Sequence, residues 1–330
     1  MKCLAIADLF IDKEMMEKGL AKLIDKDIQI EIREWNHDSI EKLQEDNIKT
    51  EHQGSEAISL PEELLENLDT FDIVITQFAP IGKDFIDRCT NLKYLGVLRA
   101  GTENVNIPYA ESKNITVLNT PGRSITSVSE YTVGMILSEI RNISRANQKL
   151  KQGIWEKHFP SGILSPELKK SKIALIGYGA IGQKVAELLR PFGGDIMFYD
   201  EYYEGDTLDS QVHSLNELVS SADIISMHYR LTNKTKHMLN KEHFNLMKPN
   251  AIVINTARSG LINEKDLIEA LQKNTIQGAA VDVFDNEPLP EDHPYLNLEN
   301  VTITPHIAGS TYGNFADSPV ILCDRILNLL

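Results

Sequence analysis

The chain has 330 residues, of which 42% are hydrophobic and 25% are charged, which is ordinary for a folded protein and enough for two domains. Its formal net charge of −15 argues against binding to a nucleic-acid backbone as the main function. The three cysteines, Cys3, Cys89 and Cys323, form no metal or redox motif, as expected in a reducing compartment. We therefore predict a cytoplasmic protein with no metal site, signal peptide, membrane span or nucleic-acid partner.

Predicted strands and helices alternate along the whole chain. The strands are short and almost wholly apolar, which is typical of strands covered by helices on both faces. They lie at residues 3–7, 72–76, 94–98, 172–176, 196–200, 223–227, 251–255 and 301–304. The alternation predicts an α/β fold with parallel sheets and right-handed crossovers. Several of these units precede a glycine-rich loop in mid-chain, so we expect them to form a domain of their own.

One long helix is predicted at residues 126–150, where Ser127 and Glu130 have the spacing of a capping box. Apolar side chains cover more than one face of this helix, so more than one face must be buried. These side chains are Val128, Tyr131, Val133, Met135, Ile136, Leu137, Ile140 and Ile143. Burial in a subunit interface and burial in an intramolecular core both satisfy the pattern.

A glycine-rich loop follows the predicted strand at residues 172–176 and precedes a predicted helix at residues 181–189, a context typical of dinucleotide binding. Gly177 permits the tight turn, Gly179 lets the backbone approach a pyrophosphate, and Gly182 lets the helix pack closely on the strand. The amides at the start of the helix would then face the diphosphate.

Asp200 ends the predicted strand that follows the glycine loop. This is the place for a carboxylate that accepts hydrogen bonds from the adenosine ribose, although a turn residue at a strand end would look the same. Glu201 follows, and no arginine is adjacent. A 2′-phosphate would meet like charge there, so the sequence predicts NAD rather than NADP.

Three polar residues in the second half of the chain are candidates for chemistry. Arg258 follows a buried predicted strand, and its planar fork suits a carboxylate or an adjacent carbonyl. His306 also follows a strand, and an ordinary pKa of about 6.5 suits a general acid for carbonyl reduction. Glu287 lies just before Pro288 and, if paired with His306, would raise the pKa of the imidazole. Taken singly, each could instead be a surface or structural residue.

Together with the glycine loop, these residues suggest hydride transfer to a small oxo acid. His228 also ends a predicted strand, at residues 223–227, and we interpret it as a neighbour of the cofactor rather than as the proton donor.

The chain resembles the D-isomer-specific 2-hydroxyacid dehydrogenases, the family of D-3-phosphoglycerate, D-lactate, glycerate/hydroxypyruvate and formate dehydrogenases. The resemblance extends from about residue 91 to residue 311, whereas the first 90 residues carry little of it. The matching motifs are Asn91-Leu92-Lys93, Arg99-Ala100-Gly101, Thr120-Pro121-Gly122-Arg123, the glycine loop, Asn255-Thr256-Ala257-Arg258, Ala280-Val281-Asp282-Val283-Phe284 and Pro305-His306.

The resemblance implies a particular architecture: two doubly wound, Rossmann-like parallel-sheet domains with a cleft between them. Residues 1–103 and 307–330 would form a discontinuous substrate domain, and residues 104–306 the NAD-binding domain. It also implies a homodimer with the helix at residues 126–150 in its interface. Because the sequence ends soon after its last predicted helix, we expect no C-terminal regulatory domain like that of longer phosphoglycerate dehydrogenases.

The resemblance further assigns catalytic and substrate-binding roles. His306 would give the proton to the carbonyl oxygen, with Glu287 as its carboxylate partner, and Arg258 would bind the substrate. The segment of Arg99, Ala100 and Gly101 would cradle the substrate carboxylate with its backbone.

The same resemblance assigns residues to the cofactor. Asp282 corresponds to an aspartate near the nicotinamide amide. The other positions expected to line the cofactor, besides the three glycines, Asp200 and Arg258, are Ala180, Ile181, His228, Tyr229, Thr256, Ala257, Ala308 and Gly309.

The expected reaction is the NADH-dependent reduction of a 2-oxo acid to a D-2-hydroxy acid, and its reverse. The substrate stays open, because the segment at residues 102–106 is about two residues shorter than the family pattern and borders the substrate. One alternative is a phosphorylated sugar acid such as 3-phosphoglycerate. Another is formate, which Glu287 disfavours. A third is a non-catalytic dinucleotide-sensing protein of the same fold.

Overall fold

The computed structural model describes residues 1–160 and 164–330. These residues separate into two compact units, each built on a wholly parallel sheet. Unit 1 comprises Met1–Ser124 and Ser310–Leu330, and unit 2 comprises Ile125–Gly309. The predicted α/β class with two parallel-sheet domains is confirmed.

Unit 1 has a five-stranded sheet with the strand order β2-β1-β3-β4-β5. Its strands are β1 (Lys2–Ala7), β2 (Gln29–Glu34), β3 (Ile73–Thr76), β4 (Tyr94–Val97) and β5 (Thr116–Asn119). Its helices are α1 (Lys13–Gly19), α2 (Ala21–Ile24), α3 (Ile40–Gln53), α4 (Glu62–Leu65), α5 (Lys83–Arg88), α6 (Ile107–Ser112) and the C-terminal helix (Tyr312–Leu327).

Both faces of the unit 1 sheet are buried, as its apolar strands require. Successive strand residues point to opposite faces, so Leu4 and Ile6 enter one hydrophobic cluster while Cys3 and Ala5 enter another. The C-terminal helix belongs to the second cluster through Leu322 and its neighbours. The end of the chain thus covers a sheet whose strands come from its beginning.

Unit 2 has a seven-stranded sheet with the strand order β12-β11-β10-β9-β6-β7-β8. Its strands are β6 (Lys172–Ile176), β7 (Asp195–Tyr199), β8 (Ser210–Gln211), β9 (Ile224–Met227), β10 (Ile252–Asn255), β11 (Gly278–Val281) and β12 (Val301–Ile303). Its helices are α7 (Ile125–Ile140), α8 (Ile143–Lys151), α9 (Ala180–Leu189), α10 (Leu215–Ser221), α11 (Lys241–Leu246) and α12 (Glu264–Gln272).

The chain passes from unit 1 to unit 2 after Ser124 and returns at Ser310, whereas the predicted boundaries lie after residues 103 and 306. Residues 104–124 stay with unit 1, because β5 pairs with β4 from Thr116 opposite Tyr94 onward. Residues 307–309 stay with unit 2, because Asp282 accepts hydrogen bonds from the amides of Ile307 and Ala308. In both places a non-local hydrogen bond decides the boundary.

The predicted helix at residues 126–150 is wrong in its continuity and in its start. α7 ends at Ile140 and α8 begins at Ile143, because Asn142 between them has a left-handed φ of 54°. α7 already begins at Ile125, so Ser127 lies inside the helix and does not cap it. Ile136 lies in the intramolecular core, whereas Ile143 is 56% exposed.

Within residues 1–160 and 164–330, no helix has the length and apolarity that a membrane crossing requires.

Candidate active site and dinucleotide loop

The glycine loop lies where the strand order of unit 2 reverses, since β6 is placed between β9 and β7. Gly177 directly follows β6 and has a φ of 98°. A Cβ there would lie 2.7 Å from the carbonyl carbon of His228, and a Cβ at Gly182 would overlap the carbonyl oxygen of Gly177. Both positions therefore require glycine, one for its turn and one for close packing of α9.

The start of α9 is open to an anionic ligand. Gly179 is its N-cap residue and provides no side-chain cap, and the amides of Ala180 and Ile181 donate no hydrogen bond to any described residue. Among the described residues, none apart from its immediate chain neighbours has a heavy atom within 4 Å of a Cβ placed on Gly179. Free amides, a helix dipole and open space fit the diphosphate of a dinucleotide.

Asp200 directly follows β7 and is tied to the glycine loop. Its Oδ2 accepts a hydrogen bond of 2.7 Å from the amide of Tyr178, and its Oδ1 accepts one of 2.9 Å from the amide of Tyr202. The neighbouring Glu201 donates its amide to the hydroxyl of Tyr229 at 3.0 Å. Two carboxylates thus stand at the end of the strand beside the loop.

His228 follows β9 and packs against Gly177 through its backbone. Its Nε2 is buried and has no hydrogen-bond partner among the described residues. Burial lowers the pKa of His228 to about 4, so the ring is neutral at pH 7. A ring held neutral in this way is unsuited to give up a proton at neutral pH.

The loop after β10 carries Arg258 and is organised by Asn255. The Asn255 side chain donates to the carbonyl oxygen of Arg258 at 3.0 Å and accepts from the amide of Ala257 at 3.1 Å. Beside it, the hydroxyls of Thr256 and Thr132 are hydrogen-bonded at 2.6 Å. The exposed Arg258 uses one guanidinium nitrogen on the carbonyl oxygen of Ala257, at 2.7 Å.

Glu287 and His306 form a direct pair, with 2.7 Å between Glu287 Oε2 and His306 Nδ1. The other carboxylate oxygen of Glu287 accepts the amide of Phe284 at 2.9 Å. The two side chains keep 30% and 47% of their surface exposed, respectively. The pair is therefore positioned by the backbone and still accessible to a small molecule.

The pair shifts both of its pKa values in the direction that favours charge. The hydrogen bond to Glu287 raises the pKa of His306, and this outweighs burial and the positive charge of Arg258, which lower it. Burial raises the pKa of Glu287, but the hydrogen bond from His306, the Phe284 amide and the charges of His306 and Arg258 together hold it below its usual value. Arg258 is thus close enough for its charge to act on both residues.

Asp282 holds the backbone on either side of His306. Its carboxylate accepts hydrogen bonds from the Thr304 hydroxyl at 2.6 Å and from the amides of Ile307 and Ala308 at 3.0 and 2.9 Å. His306 itself has a left-handed φ of 53°, a conformation that disfavours a non-glycine residue by roughly 1–2 kcal/mol. The fully buried Asp282 therefore fixes the position from which the imidazole projects.

The candidate substrate segment of unit 1 follows β4. The Arg99 guanidinium is held within unit 1 by Asn47, Glu51 and Glu103, so an anion would have to compete with these carboxylates for it. The amides of Ala100 and Gly101 donate no hydrogen bond within the described residues. The backbone of this segment thus offers two free donors.

Asn104 anchors the segment at residues 102–106, which the sequence predicts to be shorter than the family pattern. Its side chain donates hydrogen bonds to the carbonyl oxygens of Gln77 and Ala79, each at 3.2 Å. No group of three or more His, Cys, Asp or Glu suited to a metal ion occurs among the described residues.

The comparison with known proteins bears on the family of the chain. A family model described as the NAD binding domain of D-isomer specific 2-hydroxyacid dehydrogenases covers residues 133–308. The chain belongs to the D-isomer-specific 2-hydroxyacid dehydrogenase family. Its predicted resemblance and its predicted cofactor, NAD, are thereby confirmed.

Relatives within the D-2-hydroxyacid dehydrogenase family carry several names. The D-3-phosphoglycerate dehydrogenase of Methanocaldococcus jannaschii is 39% identical over 274 residues, which are 82% of this chain and 52% of that protein. This chain thus spans about half the length of that relative. The glyoxylate reductase of Thermofilum pendens is 37% identical over 256 residues, 76% of each chain.

A solved D-isomer specific 2-hydroxyacid dehydrogenase from Lactobacillus delbrueckii ssp. bulgaricus, in its NAD complexed form, superposes with a TM-score of 0.80. It is 21% identical, and the match covers 100% of this chain and 97% of that one. This likeness bears on the fold alone.

Several residues that support the site were not singled out from the sequence. Tyr178 stacks on Phe198 with 3.8 Å between ring centroids, and its hydroxyl is hydrogen-bonded to Thr207 and Asp209. Asn255 was noted only as part of a motif, and Asp282 only as a cofactor neighbour. The positions of Asn255 at the end of β10 and of Asp282 directly after β11 were the available signal, but their partners could not be read from the sequence.

Proposed function

We propose that this protein interconverts a 2-oxo acid and a D-2-hydroxy acid with NAD as cofactor. The observation that carries the proposal is the hydrogen-bonded pair of Glu287 and His306, with the charge of Arg258 acting on both residues. A general acid with a raised pKa beside a cation is what reduction of a carbonyl flanked by a carboxylate requires.

The proton would be moved by His306. Its Nδ1 is engaged by Glu287, so Nε2 is the nitrogen left to donate to the substrate oxygen. Glu287 stabilises the imidazolium before the transfer and keeps the ring oriented during it. The nicotinamide cofactor, when bound, supplies the hydride to the carbonyl carbon.

The substrate acid group would be bound by charge and by free amides. We assign Arg258 to polarise the carbonyl and orient the carboxylate, because its guanidinium is exposed and uses one nitrogen on its own loop. We assign the unpartnered amides of Ala100 and Gly101 to the substrate carboxylate as well.

The cofactor would be held by the loop at Gly177, Gly179 and Gly182, with the diphosphate at the start of α9. Asp200 would accept hydrogen bonds from the adenosine ribose, and Glu201 adds a second negative charge at the same strand end. The phosphate of NADP would be repelled there, so we propose a preference for NAD. Asp282 would lie near the nicotinamide, and its main role there would be to hold the segment that carries His306.

We also propose a homodimer in the cytoplasm. Exposed apolar side chains concentrate on and after α8, where Ile143, Leu150, Ile154 and Trp155 are 56%, 56%, 46% and 78% exposed. Such a group of side chains is typical of an interface. The three cysteines are free and buried, as suits a reducing compartment.

The test follows NADH absorbance with glyoxylate, pyruvate, hydroxypyruvate, 3-phosphohydroxypyruvate and bulkier 2-oxo acids, comparing wild type, His306→Ala and the exposed control His213→Ala. We expect turnover of at least one acid, a loss of about 10²–10⁴-fold in kcat with His306→Ala, and none with the control. Binding of NADH without turnover of any acid would contradict the proposal and favour a dinucleotide-sensing role.

A further inference from the structure

Three phenylalanines form an aromatic cluster at the carboxyl ends of the unit 1 strands. Phe10 stacks on Phe315 with 5.0 Å between ring centroids and meets Phe78 edge-on at 5.9 Å. Phe10 follows β1 and Phe78 follows β3, and these neighbouring strands are where the order of the five-stranded sheet reverses. Ligands of doubly wound sheets bind at such reversals, so this cluster lies where unit 1 would bind a ligand.

Two arginines lie over the aromatic cluster and differ in their partners. Arg99 lies 5.2 Å from the centre of the Phe78 ring and has the carboxylates of Glu51 and Glu103 as partners. Arg123 lies 5.5 Å from the centre of the Phe315 ring. In the part of the chain that the structure describes, no carboxylate lies within ion-pairing distance of Arg123, and its one hydrogen bond goes to the Ser318 hydroxyl at 3.2 Å.

Arg123 is half-buried and yet remains a cation. Burial lowers its pKa to about 10, with a smaller lowering by the charge of Arg99 and an opposing effect of Asp8. Asp8 is itself buried, and its Oδ1 accepts the amides of Phe10 and Ile11 at 2.9 and 3.0 Å. A partly desolvated guanidinium without a paired anion is unfavourable unless an anion binds to it.

Further polar groups at this end of the sheet have no partner. Gln77 follows β3 and is fully buried, and neither atom of its side-chain amide makes a hydrogen bond within the described residues. The hydroxyl of Thr120, which follows β5, is also buried without a partner. Buried polar groups are nearly always satisfied, so unpaired ones at the same end of the sheet as Arg123 point to a polar ligand.

We infer that this cluster of unit 1 recognises the substrate, and that Arg123 selects 2-oxo acids bearing a second anionic group. The aromatic faces would contact the carbon chain between the two charged ends. The inference rests on the proposed function and goes beyond it, because it names the substrate class. A carboxylate and a phosphate share the chemistry that Arg123 recognises.

The test uses substrate pairs that differ in the distal charge. We would measure kcat/KM for 2-oxoglutarate against 2-oxopentanoate, and for 3-phosphohydroxypyruvate against hydroxypyruvate, so that the two pairs distinguish carboxylate from phosphate. The variants are Arg123→Met, which removes the charge, Arg123→Lys, which keeps it, and the exposed control Arg141→Met. We expect wild type to favour the dianion of at least one pair.

Arg123→Met should lower kcat/KM for that dianion about 10- to 100-fold and for its neutral-ended partner less than about threefold. Arg123→Lys should retain part of the preference, and Arg141→Met all of it. Isothermal titration with D-2-hydroxyglutarate and D-2-hydroxypentanoate in the presence of NADH should give the same ranking without turnover.

Equal losses for both members of a pair, or wild type favouring the neutral-ended acid in both pairs, would overturn the inference while leaving the proposed function intact. Absence of turnover with every acid would instead refute the proposed function, and equal binding of the two hydroxy acids would then refute the inference as well.

Discussion

At the residue scale, the site depends on two carboxylates with different tasks. Glu287 acts on the proton of His306, because it hydrogen-bonds Nδ1 directly. Asp282 acts on position, because its carboxylate accepts hydrogen bonds from Thr304, Ile307 and Ala308 on either side of His306. Glu287 therefore raises the pKa of the imidazole, and Asp282 fixes the position of the backbone that carries it.

Glu287→Gln should lower the pKa of His306. The hydrogen bond to a charged carboxylate raises that pKa in the native protein, so the neutral amide should let it fall toward its ordinary value of about 6.5. Reduction requires the protonated ring, and its rate should then decline at a lower pH than in wild type. The measurements are an NMR titration of His306 and the pH profile of kcat/KM for reduction.

The same pair contributes to stability with a definite sign. The pKa of His306 is raised in the folded state, so protonation of His306 stabilises the fold. This contribution to the free energy of unfolding is fully present below the pKa of the unfolded state and is lost as pH rises through the pKa of the folded state. Glu287→Gln should remove this dependence, while the exposed control Glu291→Gln should keep it. An unmoved His306 titration in Glu287→Gln would refute the assigned role of Glu287.

Asp282→Asn should disturb the position of His306 more than its pKa. The amide that replaces one carboxylate oxygen cannot accept the hydrogen bonds of both Ile307 and Ala308. We expect a loss of about 1–3 kcal/mol in the free energy of unfolding and a lower kcat. Urea denaturation and steady-state kinetics measure both, with the exposed Asp285→Asn as the matched control; a stable, fully active Asp282→Asn would contradict the role.

At the element scale, a buried ion pair joins three elements of unit 2. Glu139 of α7 and Arg145 of α8 are 2.6 Å apart, and Glu139 also accepts the hydroxyl of Thr302 on β12 at 2.8 Å. Arg145 reaches further, to the carbonyl oxygen of Glu299. The break at Asn142 makes this possible, since it turns α8 so that Arg145 meets Glu139.

Arg145→Met should destabilise unit 2 by about 3–5 kcal/mol, because it leaves the Glu139 carboxylate buried without its counter-charge. Burial already raises the pKa of Glu139, so its carboxylate depends on Arg145 and Thr302. The double variant Glu139→Gln/Arg145→Met should recover much of the loss. Chemical denaturation of the three proteins is the measurement, and a single variant as stable as wild type would rule out this role.

At the scale of the whole molecule, each unit has its own sheet and its own reversal of strand order. In unit 2 the reversal brings together Gly177 and His228, and in unit 1 it brings together the segments of Phe10 and Phe78. The reversal of strand order thus lies at the dinucleotide loop in unit 2 and at the proposed specificity cluster in unit 1.

The exposed apolar residues on and after α8 predict self-association. We expect wild type to sediment at about twice the monomer mass of 37.1 kDa. The variant Trp155→Lys should sediment closer to the monomer mass. Leu208→Lys replaces another exposed apolar residue of unit 2 and should leave the mass unchanged. Analytical ultracentrifugation checks both, and a wild-type monomer at micromolar concentration would refute the homodimer.

The sequence alone predicts eight of the twelve strands found in the described residues, the glycine loop, the family and the candidates Arg258, Glu287 and His306. These follow from local features, since apolar runs, glycine spacing and the residue after a strand can be recognised within a few positions. The parallel order of the strands also follows from their alternation with helices.

Which residues act on one another depends on contacts that form only in the folded chain. Four findings depend on the folded chain rather than on local sequence. They are the hydrogen bonds of Asp282 to the His306 segment, the break at Asn142, the boundary after Ser124 and the lack of an anionic partner for Arg123 among the described residues. A hydrogen bond between residues far apart in the chain leaves no periodic pattern in the sequence. It forms only after the strands of a sheet have been placed side by side within their own unit.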